Sequence, residues 1–332
     1  MAAVNFYQLF QQFAQLEIGV IGDVMLDTYW WGHVERISPE APVPVVALDK
    51  KEQRIGGAGN VALNLSSIGA KASIISVLGK DEDGKQLTQL FEQHHINTSF
   101  LVASNSRVTT NKTRIISRNQ QMMRLDAEMT TDINKDEEAL LLENVALYIQ
   151  KKKPAVIIFE DYNKGVLTAR VIEKVIAFCK EAGVLTTVDP KKKNFFAYKG
   201  VDIFKPNLKE VKEGLNIQLE EINKEHLSRV HEELKRQLSH ETSFITLSEY
   251  GVFYSNSKET NLLPSHRRNI ADVSGAGDTV IAVASLVYAA TKDLNLMASI
   301  ANLAGGLVCE EVGTVAIKKE RLLRECEAVV VN

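Results

Sequence analysis

The chain has 332 residues, 45% hydrophobic and 24% charged, enough apolar material for one large α/β domain or two smaller ones. Its 39 basic and 42 acidic residues give a net charge of −3, which argues against a general nucleic-acid binder. No apolar run reaches the roughly 20 residues of a membrane helix, and no basic region precedes an apolar stretch at the start. The widely spaced Cys179, Cys309 and Cys326 suggest a reducing compartment. We therefore expect a cytoplasmic α/β protein with neither membrane nor nucleic-acid partners.

Short apolar runs alternate along the chain with stretches of helical periodicity. The runs predict strands at Ile18–Gly22, Ala72–Gly79, Ala155–Phe159, Val184–Asp189, Asp202–Phe204 and Ser243–Leu247. Apolar spacings of three and four predict helices at Asn60–Ile68, Gly84–His94, Glu137–Gln150 and Thr168–Ala182. Because strands buried on both faces read as continuous apolar runs, this alternation favours a mostly parallel sheet flanked by helices.

Two segments interrupt the alternation. Residues 29–48 hold three of the seven prolines and show no helical period, and residues from about 105 to 124 alternate basic or polar with β-branched side chains. Both predict antiparallel strands outside the main sheet. We place them together as a small β lid, discontinuous in sequence, which interrupts a single domain spanning residues 1–332.

The segment Gly79–Gln86 follows a predicted strand and nearly matches the phosphate-binding P-loop. Gln86 stands where a hydroxyl should bind Mg²⁺, and the interior Asp-Glu-Asp places negative charge where backbone amides should meet phosphate. The segment therefore predicts an ordinary strand-to-helix turn with Asp81 or Asp83 near the helix N-cap.

A second Gly-rich segment, Asp272–Thr279, precedes a strongly apolar run. Small residues at the mouth of a helix let backbone N–H groups approach an anion closely. Asp278 is open to two interpretations: a carboxylate that caps the helix, or a base for a hydroxyl that attacks a phosphate bound at this turn. The dinucleotide fingerprint fits poorly because Val280 occupies its third glycine position.

A third Gly-rich segment, Ile55–Asn64, opens another predicted helix. Its paired glycines allow a ligand to approach the backbone. Asn60 either caps the helix or forms hydrogen bonds to the hydroxyl groups of a ligand.

Together, the second and third segments resemble the paired signatures of the ribokinase (PfkB) family of carbohydrate kinases. The D-x-[ST]-G-A-G-D signature runs from Asp272 to Asp278. Further matches follow in order along nearly the whole chain: Asp23 and Asp27, Asp189-Pro190-Lys191, and Lys205–Glu210 with its N-x-x-E pattern. The resemblance implies a ribokinase-like fold and transfer of a phosphoryl group from Mg²⁺-bound ATP to a sugar.

Within the family, four segments resemble the branch that acts on a heptose 7-phosphate: Gly22–Asp27, Arg36–Val45, Arg114–Gln121 and Asp161–Gly165. This resemblance implies phosphorylation of the anomeric hydroxyl, which yields the 1,7-bisphosphate and supplies ADP-heptose for lipopolysaccharide or another surface glycan. Such kinases are often fused to an adenylyltransferase. No H-x-G-H motif of that activity stands in the sequence, so we expect a kinase-only protein.

The resemblance also implies roles for the residues of the Asp272–Asp278 signature. Asp278 would be the general base that takes the proton of the sugar hydroxyl. The backbone amides of Gly275, Ala276 and Gly277 would form the anion hole for the transferring group. Asp272 and Ser274 match two ligands of a monovalent cation, which suggests activation by potassium.

On the nucleotide side, Asn207 and Glu210 resemble the pair that holds the ATP phosphates and, through water, Mg²⁺. Ser248 and Gly251 match the family's nucleotide-binding loop, although a plain strand-end turn would look the same. Asn302 stands where the family contacts adenine or ribose, and the alternative is a polar residue that faces solvent.

The acceptor carries a phosphate of its own, which requires fixed positive charge. Lys112, Arg114 and Arg118 would share one face of a strand, and Arg124 and Lys164 are further candidates. The alternative is a basic strand face that is only solvated. The family's sugar-hydroxyl contacts fall on Asp27, Gly57 and Asn60.

The two adjacent tryptophans bear on oligomeric state. Trp30 and Trp31 point to opposite faces of a strand, so one of them is available for a contact between two lids. Related kinases often dimerise through this element, whose apolar edge would otherwise invite pairing. A homodimer through the lid is therefore expected.

Three alternative functions remain open. One is another sugar or sugar-phosphate kinase of the family, of the fructose- or tagatose-phosphate type, which the lid sequence would distinguish. Another is a non-catalytic sugar-binding regulator on the same fold, disfavoured because Asp278 and the N-x-x-E pattern are both present. The third, a nicotinamide-dependent oxidoreductase, is disfavoured by the failed fingerprint.

Overall fold

The computed structural model describes residues 4–118, 120–266 and 268–329. The strands are β1 (Glu17–Gly22), β2 (Val24–Ile37), β3 (Pro44–Gly57), β4 (Lys71–Gly79), β5 (Asn97–Ser104), β6 (Thr110–Ser117), β7 (Gln120–Ala127), β8 (Val156–Glu160), β9 (Leu185–Asp189), β10 (Ile203–Phe204), β11 (Thr242–Thr246), β12 (Val252–Ser255) and β13 (Thr260–Leu263). The helices are α1 (Phe6–Phe13), α2 (Ala58–Ile68), α3 (Glu82–Gln93), α4 (Lys135–Lys152), α5 (Ala169–Ala182), α6 (Leu208–Leu215), α7 (Lys224–Leu238), α8 (Ala276–Thr291), α9 (Leu294–Val308) and α10 (Lys319–Val329).

The larger sheet has the strand order β13-β12-β11-β10-β9-β8-β1-β4-β5. All neighbours from β11 to β5 are parallel, and β12 and β13 add an antiparallel edge. The predicted mostly parallel sheet is therefore confirmed, and its six predicted strands (β1, β4, β8, β9, β10 and β11) agree with the structure to within one residue at each end. The four predicted helices agree to within two residues.

Two apolar cores cover the two faces of this sheet. One core holds α1, α2, α8, α9 and α10, and the other holds α4, α5 and α7. Every residue of β8 is buried, because helices cover it on both sides. Helix α8 is buried continuously from Asp278 to Val287, so an apolar stretch without amphipathic periodicity folds here as a core helix.

The turn from β4 into α3 has the predicted form. Asp81 is the N-cap of α3, and its carboxylate accepts the amide of Gly84 at 2.8 Å. The second carboxylate oxygen of Asp81 accepts the amide of Thr109. Both oxygens therefore hold the chain, and the P-loop interpretation is excluded at this turn.

The second sheet is separate and smaller, with the order β3-β2-β6-β7. Strands β2 and β3 are antiparallel, as are β6 and β7, but β2 and β6 are parallel, so the all-antiparallel expectation is wrong for that pair. The reason is topological: β4, α3 and β5 intervene and return the chain in the same direction. Strands β2 and β3 also extend beyond 29–48, because the residues nearest the main sheet are buried and paired.

Two details of the basic strand also differ from expectation. Strand β6 ends at Ser117, and Arg118 has a φ of 47° in the following turn, so Arg118 does not share the strand face of Lys112 and Arg114. Asn119, part of the heptose-type segment, lies outside the described residues. In the described part of the chain, no helix combines the length and apolar character needed to cross a membrane.

Candidate active site

Charged side chains gather where the parallel strands of the main sheet end. Asp23 follows β1, Glu160 is the last residue of β8, Asp189 is the last residue of β9, and Lys205 follows β10. All four are at most 4% exposed. In α/β sheets, ligands bind at this carboxyl edge, so the topology itself assembles the candidate site.

A Gly-rich turn at the mouth of α8 faces this edge. Gly275 is the N-cap of α8 with a φ of +78°, which favours glycine, and it receives no side-chain cap. A Cβ placed on Gly277 would lie 3.6 Å from Asp189 Oδ2 and 3.9 Å from Lys205 Nζ. The Ala276 amide makes a long 3.3 Å bond to the Val273 carbonyl, which an anion could replace. The turn thus combines first-turn amides with a buried lysine, a suitable environment for a phosphate.

Asp278 lies in the first turn of α8 and is 5% exposed. Its Oδ2 accepts a hydrogen bond from the side-chain amide of Asn60 at 2.7 Å, and its Oδ1 accepts one from the hydroxyl of Tyr162 at 2.8 Å. The position of Asp278 in the first turn of α8 agrees with an acid that favours the helix dipole, while its two oxygens bind side chains from other elements. Asn60 is not the cap of its helix, because Gly57, with a φ of +59°, is the N-cap of α2. The two Gly-rich segments therefore meet through an amide–carboxylate hydrogen bond.

The ionisation of Asp278 is shifted toward neutrality. Burial raises the pKa of its carboxyl to about 6, while the hydrogen bonds from Asn60 and Tyr162 oppose the rise. A carboxylate with a pKa near the working pH is suited to accept a proton and release it again.

A cluster of alternating charges lies behind the turn. Asp189 binds Lys191 at 3.0 Å and Lys205 at 2.8 Å, and Lys191 also binds Glu210 at 2.6 Å. Burial acts to raise the pKa of Asp189, but the two lysines outweigh it and hold that pKa below its usual value. Lys191 thus links the neighbourhood of the Gly-rich turn to the start of α6.

Asn207 and Glu210 form a capping box at that helix start. The Asn207 side chain accepts the Glu210 amide, and the Glu210 carboxylate accepts the Asn207 amide, each at 2.8 Å. The N-x-x-E pattern therefore has a structural cause in addition to any role toward a nucleotide.

The other predicted nucleotide residues converge on one segment. A Cβ on Gly251 would approach Leu263, Pro264 and Ser265, and the Asn302 side chain donates to the Pro264 carbonyl at 2.8 Å. Ser248, with a φ of 55°, begins the short 3₁₀ turn Ser248–Tyr250, and Gly251 is its C-cap. The structure brings these residues together, and Asn302 bonds to the backbone rather than projecting freely into solvent.

The predicted cation ligands Asp272 and Ser274 contact each other directly. Asp272 Oδ1 accepts both the amide and the hydroxyl of Ser274, and Oδ2 accepts the Gly313 amide at 2.9 Å. Arg54 of β3 reaches the same loop and donates to the carbonyls of Val312 and Thr314 at 3.4 and 3.2 Å. The small sheet is therefore tied to the loop that supports the Gly-rich turn.

Three of the predicted acceptor-binding cations are paired with carboxylates. Arg114 binds Asp27 at 2.7 Å, Arg124 binds Asp126 at 2.8 Å, and Lys164 binds Glu128 at 2.7 Å. The side chains of Arg114 and Lys164 are only 21% and 15% exposed, so these two are more than a solvated face. Lys112 lies two residues from Arg114 on β6 and shares its face. Gly57 and Asn60 begin α2 beside this sheet.

Two further residues of this site, Tyr162 and Glu160, had no predicted role. Tyr162 was part of a family-like segment, and its contact with Asp278 joins residues 116 positions apart. Glu160 is fully buried, and neither of its carboxylate oxygens has a hydrogen-bond partner among the described residues. Burial, then Asp189 and Asp278, raises the pKa of Glu160 well above its usual value. The available signal was that Glu160 ends a buried strand and Tyr162 follows two residues later.

Comparison with known proteins defines the class. Residues 15–321 match the family model described as pfkB family carbohydrate kinase. The chain belongs to this family and is a carbohydrate kinase, as the sequence motifs predicted. Kinases of the family use ATP and a divalent metal.

Two curated relatives are similar to this chain over most of its length. The chain is 41% identical to the bifunctional protein HldE of Aliarcobacter butzleri over 89% of this chain, and 37% identical to that of Geobacter sulfurreducens over 97%. It spans 61% and 65% of the length of these two relatives.

Solved structures agree with the fold. Phosphofructokinase-2 from Escherichia coli in complex with potassium superposes with a TM-score of 0.78 at 18% identity, over 96% of this chain and all of that one. Ribokinase from Arabidopsis thaliana, complexed with ribose and ATP, gives 0.72 at 16% identity, over 93% and 99%. The ribokinase-like fold expected from the sequence is thereby confirmed.

Proposed function

We propose that this kinase transfers the γ-phosphoryl group of ATP to the anomeric hydroxyl of D-glycero-β-D-manno-heptose 7-phosphate, which yields the 1,7-bisphosphate. The observation that carries the reaction type is the buried Asp278 carboxylate, held by Asn60 at the mouth of a Gly-rich helix start. The sugar is proposed from the heptose-type segments, and the similarity to HldE proteins supports it. The product would serve ADP-heptose synthesis for a surface glycan.

Asp278 is the proposed general base. Its carboxylate would accept the proton of the anomeric hydroxyl as that oxygen attacks the γ-phosphorus and the bond to the ADP oxygen breaks. The amides of Gly275, Ala276 and Gly277 would receive the charge of the transferring group, and the ammonium group of Lys205 lies near the same turn. Such preorganised donors are worth about 10²–10³ in rate.

The residues present fit ATP with Mg²⁺. The described residues include no group of three or more His, Cys, Asp or Glu side chains suited to hold a metal ion. Mg²⁺ typically retains water and binds phosphates with one or two carboxylates, and Glu210 is the proposed water-mediated contact. The metal would neutralise charge on the phosphates. Asn207, Ser248, Gly251 and Asn302 would hold the nucleotide.

A monovalent cation, potassium, is proposed at Asp272 and Ser274. The two side chains adjoin each other beside the loop that contains Gly313. Carboxylate and hydroxyl oxygens are suitable ligands for potassium. A cation bound there would help to hold the adjoining Gly-rich turn in position. Dependence of turnover on K⁺ over Na⁺ tests this assignment.

The small sheet would bind the acceptor. Asp27, Gly57 and Asn60 are the proposed contacts to sugar hydroxyls, and Lys112, Arg114, Arg124 and Lys164 the proposed cations for the 7-phosphate. Because three of these cations already hold carboxylates, the substrate phosphate would replace or share those partners. We further propose that the sheet is a lid on a single domain and the contact surface of a homodimer.

The test is ADP release by purified protein with Mg²⁺-ATP. D-glycero-β-D-manno-heptose 7-phosphate is compared with fructose 6-phosphate, fructose and ribose, in wild type and in Asp278→Asn. We expect the heptose phosphate to be strongly preferred and the variant to lose at least about 10³ in kcat, within the range for a lost general base.

Each outcome has a distinct meaning. Preference for another sugar would overturn the proposed substrate and retain the base. Full activity of Asp278→Asn would overturn the base. No turnover with any sugar, despite ATP binding, would favour the alternative of a non-catalytic sugar-binding regulator.

A further inference from the structure

The hydroxyl of Tyr162 contacts the proposed base from a strand end distant in sequence. It donates to Asp278 Oδ1 at 2.8 Å, while Asn60 donates to Oδ2 at 2.7 Å. Each carboxylate oxygen therefore has one fixed donor, and the plane of the carboxylate is held from both sides. The ring of Tyr162 also lies against Lys191, whose ammonium nitrogen is 5.7 Å from the ring centroid.

Two buried acids hold the loop that presents Tyr162. Asp23 accepts the amides of Tyr162, Lys164 and Val166 at 2.9–3.0 Å. Asp161 accepts the amide of Asn163 and, from elsewhere in the fold, the side chains of Asn194 and Tyr198. Burial, then Asp161, raises the pKa of Asp23 to about 6, so placing these acids here has an electrostatic cost. The loop is thus fixed in position before any ligand binds.

We propose that Tyr162 is a positioning residue for phosphoryl transfer, which holds the Asp278 carboxylate ionised and oriented toward the acceptor hydroxyl. The inference rests on the proposed function, in which Asp278 is the base. Burial, followed by the charge of Asp278, raises the pKa of the Tyr162 phenol well above its usual value, so the phenol keeps its proton throughout. The proton of the sugar hydroxyl passes to Asp278 alone.

The charges around Asp278 determine the direction of the effect. Besides burial, Asp189 disfavours the ionised carboxylate, and Lys191 opposes it. Two further groups lie in the same cluster: Glu160, whose own pKa is raised by burial, Asp189 and Asp278, and Lys205, which binds Asp189. The hydrogen bonds from Asn60 and Tyr162 lower the pKa of Asp278. Removing the Tyr162 hydroxyl must therefore raise that pKa, by about one pH unit for a single hydrogen bond to the ionised form.

The experiment compares Tyr162→Phe with the matched control Tyr254→Phe, whose hydroxyl lies near Glu259 on the antiparallel edge. In wild type, kcat/KM for the sugar phosphate should fall as the pH decreases through about 6, because the base becomes protonated. In Tyr162→Phe this acid limb should move up by about one pH unit, with the KM for ATP unchanged. Tyr254→Phe should match wild type. An acid limb that stays in place in Tyr162→Phe would overturn the proposal.

A second readout does not depend on turnover. Carboxyl NMR titration of the ¹³C-labelled free protein, with the Asp278 signal assigned from Asp278→Asn, should show the same upward shift in Tyr162→Phe. Site-specific 3-fluorotyrosine at position 162, a stronger donor of the same shape, should shift the Asp278 pKa downward. Opposite shifts support the inference even if the protein phosphorylates no sugar tested, whereas an unmoved Asp278 signal overturns it even if the proposed function holds.

Discussion

The two ends of the candidate site differ in how they hold charge. At the carboxyl edge of the main sheet, Asp278, Lys205 and Glu160 are at most 5% exposed and bonded to, or packed against, other charged groups. On the small sheet, every residue of β7 is exposed, and the Arg124 side chain is half exposed beside Asp126. Water screens the second set strongly and the first set weakly. The comparison indicates preorganised chemistry at one end and adaptable recognition at the other.

The difference predicts where substitutions act. A change at the buried end should reduce the rate of phosphoryl transfer. The charged groups there are held in fixed positions, and water cannot take the place of one that is removed. A change on the small sheet should alter acceptor affinity or association between chains, because β7 is exposed and because Arg114 and Lys164, although only 21% and 15% exposed, are proposed to bind the acceptor.

After Asp278, the largest effect is expected at Lys205. In Lys205→Met, kcat should fall by about 10²–10³ with the KM for the sugar changed less, because a buried ammonium beside the Gly-rich turn is lost. Steady-state kinetics measure this. The exposed Lys209→Met on the same segment is the control and should retain activity. Loss of only sugar affinity in Lys205→Met would contradict the assignment of the buried end to chemistry.

An intermediate effect is expected at Arg114. In Arg114→Gln, the KM for the sugar phosphate should rise about 10- to 100-fold, as expected for one charge-assisted hydrogen bond, while kcat and the KM for ATP change little. Arg124 is the cross-strand neighbour of Arg114 and is more exposed. Arg124→Gln should therefore cause a smaller rise in the KM for the sugar phosphate. Equal effects of both variants on kcat would remove the distinction between the two ends.

The smallest effect on catalysis is expected from the edge strand. Met123 on β7 is 56% exposed, and within the described residues β7 pairs only with β6. Met123→Glu should convert the proposed dimer to a monomer in sedimentation equilibrium, with kcat changed by less than about threefold, because a charge on an exposed apolar edge opposes pairing. Leu140→Glu, an exposed leucine on α4, should remain dimeric. A monomeric wild type would refute association through the small sheet.

Sequence reasoning succeeded where local patterns determine structure. The six strands were predicted from their short apolar runs, which helices on both faces favour, and the strand-to-helix turn was predicted with Asp81 or Asp83 near the N-cap. The parallel pairing of β2 with β6 was missed because direction depends on the intervening chain and not on composition.

Site residues were predictable in the same uneven way. Asp278 and Asn60 lie in glycine-rich segments that can be recognised from the sequence alone. Tyr162 and Glu160 lie in no such segment, and their only local signal is their place at the end of the buried strand β8, because their importance comes from strand register and from partners far along the chain. The pairing of Arg114 with Asp27 could not be predicted from the sequence either, because it joins residues 87 positions apart on two strands.

The contact between Asn60 and Asp278 also has a consequence for biosynthesis. These residues are 218 positions apart, and Arg54 and Thr314 are 260 apart. A chain that emerges from the ribosome thus presents the amide of Asn60 long before the carboxylate that it binds has been translated. No N-terminal fragment that stops short of α8 can contain the proposed base, so nascent chains carry half of a phosphoryl-transfer site and acquire the other half late in synthesis.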